Sequence, residues 1–182
     1  MRVISGKARG SILVAPAGFE TRPTGDRMKE DLFNILNHRL KDIVFLDLYC
    51  GSGAIGIEAL SRGARSAVFV DCSKAAIDAT KANLRKTHLL EMAEIFFMPV
   101  HQVCGAQEFQ GRQFDIIFLD PPYDSAELPA ALDSIKNLLA EDGIVIAECR
   151  RGLGFELPDI PGLGIYRQKK YGQMQFVFYE KM

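Results

Sequence analysis

Ile43-Val44-Phe45-Leu46-Asp47-Leu48-Tyr49-Cys50-Gly51-Ser52-Gly53-Ala54-Ile55-Gly56 is the stretch of this chain that decides its fold. A continuous apolar run comes first, then a loop with closely spaced glycines, then the start of a helical pattern. A run that is hydrophobic throughout, without alternation, is typical of a parallel strand covered on both faces. The stretch therefore predicts a strand, a tight turn and a helix, which together form the first unit of an α/β fold.

The rest of the chain repeats this pattern. Further strands are predicted at 67–70, 95–97, 114–119 and 144–146, and helices at about 53–62, 73–87 and 128–140. This alternation of strands and helices predicts a doubly wound, mostly parallel sheet. Two more strands at 162–168 and 174–179, joined around Tyr171-Gly172, would complete seven strands with an antiparallel C-terminal strand.

The first 25 residues have a different character, and we predict that they form a small basic β-hairpin arm preceding a domain at 26–182. Residues 1–30 hold six Lys/Arg against three acids, whereas the whole chain has a net charge of -1. Such asymmetry is typical of a basic arm that meets a polyanion. A helix is predicted at about 26–40, with Asp26 as its cap.

Bulk composition excludes several classes of protein. With 182 residues, 48% of them hydrophobic, the chain fits one domain with an ample core. It has neither an apolar run that could span a bilayer nor a signal-like N-terminus, so we expect a cytoplasmic protein that does not bind a membrane. The four cysteines and three histidines show no metal-ligand spacing, so no metal is expected.

The glycine-containing stretch predicts a site for a nucleoside. Gly51, Gly53 and Gly56 permit close backbone approach at a helix N-terminus, and Asp71 can accept both hydroxyls of a ribose. The same glycines and spacing also satisfy the dinucleotide fingerprint of NAD enzymes. Asp47 favours S-adenosylmethionine, because a carboxylate here would repel a pyrophosphate but attract ammonium and sulfonium charges.

Asp120-Pro121-Pro122-Tyr123 directly follows the apolar run 114–119 and predicts where a methyl acceptor binds. Two prolines cannot continue a sheet ladder, so the strand must end and a rigid loop begin. The loop presents a carboxylate, free carbonyls and an aromatic ring at the edge where open α/β sheets bind ligands. Asp120 and the Pro121 carbonyl can hold the hydrogens of an amine while Tyr123 stacks on a base.

Together these residues resemble the class I methyltransferases that carry an (Asp/Asn/Ser)-Pro-Pro-(Tyr/Phe) motif, whose fold is Rossmann-like. Three further segments are similar to the RsmD family of bacterial 16S rRNA guanine-N2 methyltransferases: Ile4-Ser5-Gly6-Lys7-Ala8-Arg9-Gly10, Arg22-Pro23-Thr24-Gly25-Asp26-Arg27 and Lys170-Tyr171-Gly172. The resemblance covers almost the whole chain. It implies methylation of one guanine amine in 16S rRNA, within a 30S subunit or an assembly intermediate, by a protein that we expect to be monomeric.

The resemblance also implies a set of site residues. Catalysis is expected of Asp120, Pro121 and Tyr123; cofactor binding of Asp47, Cys50, Gly51, Ser52, Gly53, Asp71 and Cys72; and RNA binding of Lys7, Arg9, Arg22, Thr24, Arg27 and Tyr171. Two departures stand out. Tyr49-Cys50 replaces the more usual Phe-Ala, and Phe97-Met98-Pro99-Val100 lacks the acidic residue that usually binds the adenine amine, which leaves that contact unassigned.

Three alternatives remain open at this point. The chain can be another N-methyltransferase acting on DNA, tRNA or protein, although it has little room for a DNA-recognition region. An NAD(P)-dependent oxidoreductase would account for the glycines but not for Asp47 or the Asp-Pro-Pro-Tyr loop. An rRNA-binding assembly factor without activity would not explain the intact motif.

Overall fold

The computed structural model describes residues 1–17, 25–122, 127–151 and 156–182. The strands are β1 Val44–Leu48, β2 Ser66–Asp71, β3 Ala93–Phe97, β4 Phe114–Leu119, β5 Leu139–Arg150, β6 Leu163–Tyr171 and β7 Met174–Lys181. The α-helices are α1 Asp26–Leu36, α2 Ala54–Ser61, α3 Lys74–Lys86 and α4 Glu127–Ile135. No helix in these ranges is both long and apolar enough to span a membrane.

The seven strands form one sheet in the order β3-β2-β1-β4-β5-β7-β6. The first five pair in parallel, and β7 runs antiparallel to both β5 and β6. The predicted doubly wound, seven-stranded sheet is thus confirmed. Strand order reverses between β1 and β4, and ligands of open α/β sheets bind in the crevice that such a reversal creates at the carboxyl edge.

Two predicted boundaries were wrong. The helix expected at 128–140 ends at Ile135, and Leu139 already pairs with Phe114 of β4 at the start of a twelve-residue β5. The helix expected at 26–40 ends at Leu36 and continues as a 3-10 helix through Arg39. In both places apolar residues continue past the helix end, so hydrophobic spacing alone did not reveal where the backbone changes.

Side chains on the two faces of the sheet form two cores. The face covered by α1, α2, α3 and residues 1–17, here called the α2 face, takes Phe45, Phe118 and Ile146. The opposite face, covered by α4 and nearby 3-10 turns, takes Leu46, Leu119 and Ala147. Because successive residues of a strand point to opposite faces, position along each strand decides which residues can meet at the site.

Residues 1–17 are held against α2 by buried polar contacts. Glu58, which is fully buried, accepts hydrogen bonds from the backbone N–H groups of Ile4 and Ser5 at 2.8 and 3.0 Å. Glu58 also pairs with Lys29 at 3.4 Å and with Arg62 at 2.7 Å. Lys29, counted above among the basic charges of the N-terminal region, is therefore a buried structural ion-pair partner and cannot meet a polyanion.

The expected capping role of Asp26 was also wrong. Gly25 occupies the N-cap position of α1, and Asp26 is the first helical residue. The Asp26 carboxylate instead lies 3.5 Å from the Arg2 guanidinium. This contact joins the start of α1 to residues 1–17. The division of the chain at residue 25 remains a prediction.

Candidate active site

The glycine loop, residues 49–53, turns the chain sharply from β1 into α2. Tyr49, Gly51 and Gly53 all adopt positive φ angles, of 57°, 54° and 74°. A side chain at Gly53 would also strike Thr80, with only 2.9 Å between its Cβ and the Thr80 methyl carbon. Gly56 is needed for close packing, because a Cβ there would lie 2.3 Å from the Phe69 ring. These glycines permit the turn and the close packing of α2 on the sheet.

Asp71 ends β2 beside this loop and organises it. One carboxylate oxygen accepts the Gly51 N–H at 2.9 Å, and the other accepts the Ser73 N–H at 2.8 Å. Ser73, and not Asp71, caps α3, since its hydroxyl accepts the Ala76 N–H. Asp71 remains half-buried and each of its oxygens keeps a further lone pair, so it can still accept two ligand hydroxyls.

Asp47 lies deeper than its predicted role suggested. It is 2% exposed, and one of its oxygens accepts the Gly56 N–H at 2.9 Å. Burial is the main cause that raises the pKa of Asp47 to about 8, with a smaller contribution from the charge of Asp71. Asp47 thus fixes the start of α2 and also supplies a carboxylate whose ionisation a nearby cation would favour.

The other predicted cofactor residues lie around the same loop. Cys50 is buried with its Sγ 3.6 Å from the Thr80 hydroxyl, and burial raises the pKa of its thiol. Cys72 is exposed directly after Asp71. Ser52 is fixed through its carbonyl, which accepts the Asn83 side-chain N–H at 2.9 Å. Asn83 also exchanges two hydrogen bonds of 2.9 Å with the Val14 backbone, and so joins residues 1–17 to the loop.

The acceptor loop, which begins at Asp120, adjoins the glycine loop across the switch point. β4 ends at Leu119, as the two prolines predict, and the Asp120 N–H lies 3.5 Å from the Leu48 carbonyl at the end of β1. Pro121 is buried and Pro122 is exposed. Tyr123, predicted to stack on the acceptor, lies outside the described residues. The start of the acceptor loop therefore lies beside the end of β1, and the catalytic roles of Asp120 and Pro121 stay predictions.

The surroundings of Asp120 include a carboxyl group that sequence reasoning missed. Burial raises the pKa of Asp120 well above its usual range, and the charges of Glu148 and then Asp47 raise it further. Glu148 itself is 2% exposed. A signal was present in the sequence, because Glu148 is an acidic residue directly after the apolar run Ile144-Val145-Ile146-Ala147.

A group of residues toward the β6 edge of the sheet, here called the basic rim, lies on the Glu148 side of the site. It consists of Arg27, Arg167, Lys169 and Tyr171. Tyr171 packs edge-on against Phe176 at 5.7 Å, and the Lys169 ammonium lies 5.8 Å from the Tyr171 ring centre. Burial and the Asp31 carboxylate raise the pKa of Tyr171 to about 12, against the opposing charges of Arg167 and Arg27. The Tyr171 hydroxyl is buried close to the Asp31 carboxylate.

The remaining predicted RNA contacts are not gathered at the acceptor loop. Lys7 and Arg9 are exposed in the turn whose backbone bonds to Ser61, at the C-terminal end of α2. An eight-residue helix is about 12 Å long, so these side chains lie roughly that far from the glycine loop. Arg22 and Thr24 lie outside the described residues.

The fold and this site define the architecture of the class I methyltransferases, with an Asp-Pro-Pro acceptor loop at the end of β4. A profile of the family described as conserved hypothetical protein 95 matches residues 1–180. The chain belongs to that family, which confirms the resemblance to RsmD.

Named relatives agree over the full length of the chain. The chain is 40% identical to YlbH of Bacillus subtilis, provisionally named an rRNA methyltransferase, over 100% of this chain and 99% of the relative. It is 30% identical to ribosomal RNA small subunit methyltransferase D of Escherichia coli, over 100% and 90% of the two chains. The solved structure of yhhF from Escherichia coli, provisionally named a methyltransferase, shows 31% identity and a TM-score of 0.86, over 100% and 97%.

Proposed function

We propose that this protein methylates the exocyclic N2 amine of a guanine in 16S rRNA, with S-adenosylmethionine as the methyl donor. One observation carries the proposal more than any other. Asp120 and Pro121 adjoin the end of β1 at the switch point, next to a glycine loop held by Asp71. We interpret Asp120 and Pro121 as amine acceptors beside a nucleoside site, and full-length relatives named for rRNA methylation support the same class of substrate.

The residues of the glycine loop fit the proposed donor. S-adenosylmethionine supplies a methyl group on a positively charged sulfur, together with an adenosine ribose and an amino-acid ammonium. Asp71 has lone pairs left for the ribose hydroxyls, and the left-handed backbone at Gly51 and Gly53 lets a ligand approach closely. Asp47 supplies negative charge that a sulfonium and an ammonium would offset.

The acceptor residues orient a weak nucleophile. A base amine has its lone pair delocalised into the ring, so its hydrogens must be held for the nitrogen to face the methyl group. Asp120 and the Pro121 carbonyl accept those hydrogens, and Tyr123 stacks on the base, a contact worth about 1–3 kcal/mol. The N2 lone pair forms the new bond to carbon while the carbon–sulfur bond breaks and leaves its electrons on sulfur.

The basic rim is the surface that we expect to bind the RNA backbone. Arg167 and Lys169 belong to the edge strand β6 that ends at Tyr171, and Arg27 of α1 is close enough for its charge to act on the Tyr171 hydroxyl. Phosphate contacts of this kind position the nucleic acid while the target base leaves its stack. Lys7 and Arg9, with Arg22 and Thr24, would meet flanking nucleotides. We expect a monomer acting in the cytoplasm on a 30S subunit or its precursor.

The test is methyl transfer to defined RNA particles. Labelled S-adenosylmethionine should deliver its methyl to 30S subunits that lack the modification, and digestion should release N2-methylguanosine. Subunits from the unmodified strain and from its parent form the matched pair, since the parental site is already methylated. Transfer to neither the unmodified subunits nor naked 16S rRNA would refute the proposal.

A further inference from the structure

Glu148 and Asp120 are placed side by side by the register of β4 and β5. Leu119 pairs with Ala147, so the next residue of each strand, Asp120 and Glu148, comes at the same level. Both follow residues that face α4, and side chains alternate, so both point to the α2 face. Adjacent strands lie about 4.8 Å apart, which leaves two carboxyl groups close together at the acceptor loop.

Burial strengthens the electrostatic interaction between the two carboxyl groups. Glu148 is 2% exposed, so little water screens its charge from Asp120. Like charges a few ångströms apart in a low-dielectric setting disfavour double ionisation and raise the proton affinity of one partner. The pKa of Asp120 is indeed raised by burial and by Glu148, with a smaller effect from Asp47.

We propose that Glu148 is a positioning residue that acts through Asp120, and that its charge makes Asp120 the group that takes the proton released by the methylated amine. The inference rests on the proposed function. After the N2–carbon bond forms, one N2–H bond breaks, its electrons stay on nitrogen and its proton passes to a carboxylate oxygen of Asp120. Without the Glu148 charge, Asp120 is a weaker proton acceptor.

Other charged groups near Asp120 define the controls. Asp47 approaches from β1 on the same face, and its own pKa is near 8. Two basic residues lie on the same face, further from Asp120. Arg150 comes two residues after Glu148 on β5, and Lys169 of β6 pairs with Phe176 of β7. Any pH effect assigned to Glu148 must therefore persist when Asp47 is replaced.

The experiment measures single-turnover methylation against pH for the wild type and Glu148→Gln. The rate should rise with pH as Asp120 ionises, and the midpoint of that rise should fall by roughly 1–3 pH units in the variant. The two curves should cross, with the variant faster at low pH and slower at high pH. A merely structural defect would lower the rate at every pH. Glu148→Asp, which keeps the charge, should retain the wild-type midpoint.

Two outcomes would overturn the inference: an unmoved midpoint in Glu148→Gln, or a shift that disappears in the Asp47→Asn background. If Glu148→Gln does not fold, infrared titration of Asp47→Asn and of Asp47→Asn/Asp120→Asn replaces it, because Asp47 itself titrates near pH 8. A carboxyl band that ionises above the usual range of a carboxyl group should be present in the single variant and missing in the double variant, and its presence in both refutes the pairing. A protein that titrates this way but whose wild type methylates no guanine refutes the proposed function instead.

Discussion

At the scale of single residues, the acceptor loop holds Asp120 in a buried position beside other carboxyl groups, which lowers the stability of the folded protein. Asp120 sits among carboxyl groups that raise its proton affinity, an arrangement typical of functional sites. We predict that Asp120→Ala lowers the rate of methyl transfer at least ~100-fold, the usual contribution of a positioned acid–base group. Affinity for S-adenosylhomocysteine, measured by calorimetry, should change less than about two-fold.

Measuring the free energy of unfolding of Asp120→Ala shows whether a lost rate reflects lost folding. Removing a carboxyl group that is crowded by Glu148 and Asp47 should leave stability at pH 8 unchanged or increased. Asp78→Ala, at an exposed position on α3, is the matched surface variant and should retain full turnover. Normal methylation by Asp120→Ala would show that the Asp-Pro-Pro loop acts through its backbone alone.

Asp47 predicts a pH dependence of stability. Its pKa of about 8 in the folded protein lies above the value near 3.9 of an unfolded chain. The folded state therefore binds more protons between these values, and stability falls as the pH rises from about 4 to about 8. Asp47→Asn keeps the oxygen that accepts the Gly56 N–H, but it has no ionisable carboxyl group and so removes this pH-dependent loss of stability. Urea unfolding at pH 5 and pH 8 should show a decline smaller in the variant by up to ~3 kcal/mol; equal declines would contradict the assignment.

At the scale of elements, α3 couples the N-terminal residues to the glycine loop through Asn83. This fully buried side chain bonds the backbone of Val14 on one side and the Ser52 carbonyl on the other. Asn83→Ala should destabilise the protein by roughly 2–4 kcal/mol, because buried backbone groups lose their partners. Cofactor affinity should also fall, since the loop loses a fixed point.

Denaturant unfolding and calorimetry with S-adenosylhomocysteine check both effects. Arg85→Ala, two residues further along the same helix and exposed, provides the control and should shift stability by less than about 0.5 kcal/mol. If Asn83→Ala weakened folding but left cofactor affinity intact, the hydrogen bond to Ser52 would not be what shapes the loop.

At the scale of the whole molecule, the charges divide between the two ends of the sheet. The basic rim lies at the β6 edge, whereas α3 with Arg85 and Lys86 packs near the β3 edge. The double variant Arg167→Ala/Lys169→Ala should weaken 16S rRNA binding and reduce the slope of log affinity against log salt by roughly 1.5. Filter binding at several salt concentrations measures this, with Arg85→Ala/Lys86→Ala as a charge-matched control. Equal losses in the two variants would indicate a diffuse charge effect and no docking rim.

Local sequence patterns were enough to predict the order of strands and helices along the chain, the end of β4 at two prolines, and the glycines that shape the glycine loop. These features follow from backbone chemistry, because proline lacks an N–H, glycine admits positive φ, and buried parallel strands need continuous apolar runs. The packing of the folded chain was needed to show that Glu148 lies beside Asp120, that Lys29 is buried against Glu58 and that Asn83 joins Val14 to Ser52. Each of these contacts joins residues at least 28 positions apart, and which side chains meet over such distances depends on strand register and helix packing, which no local pattern encodes.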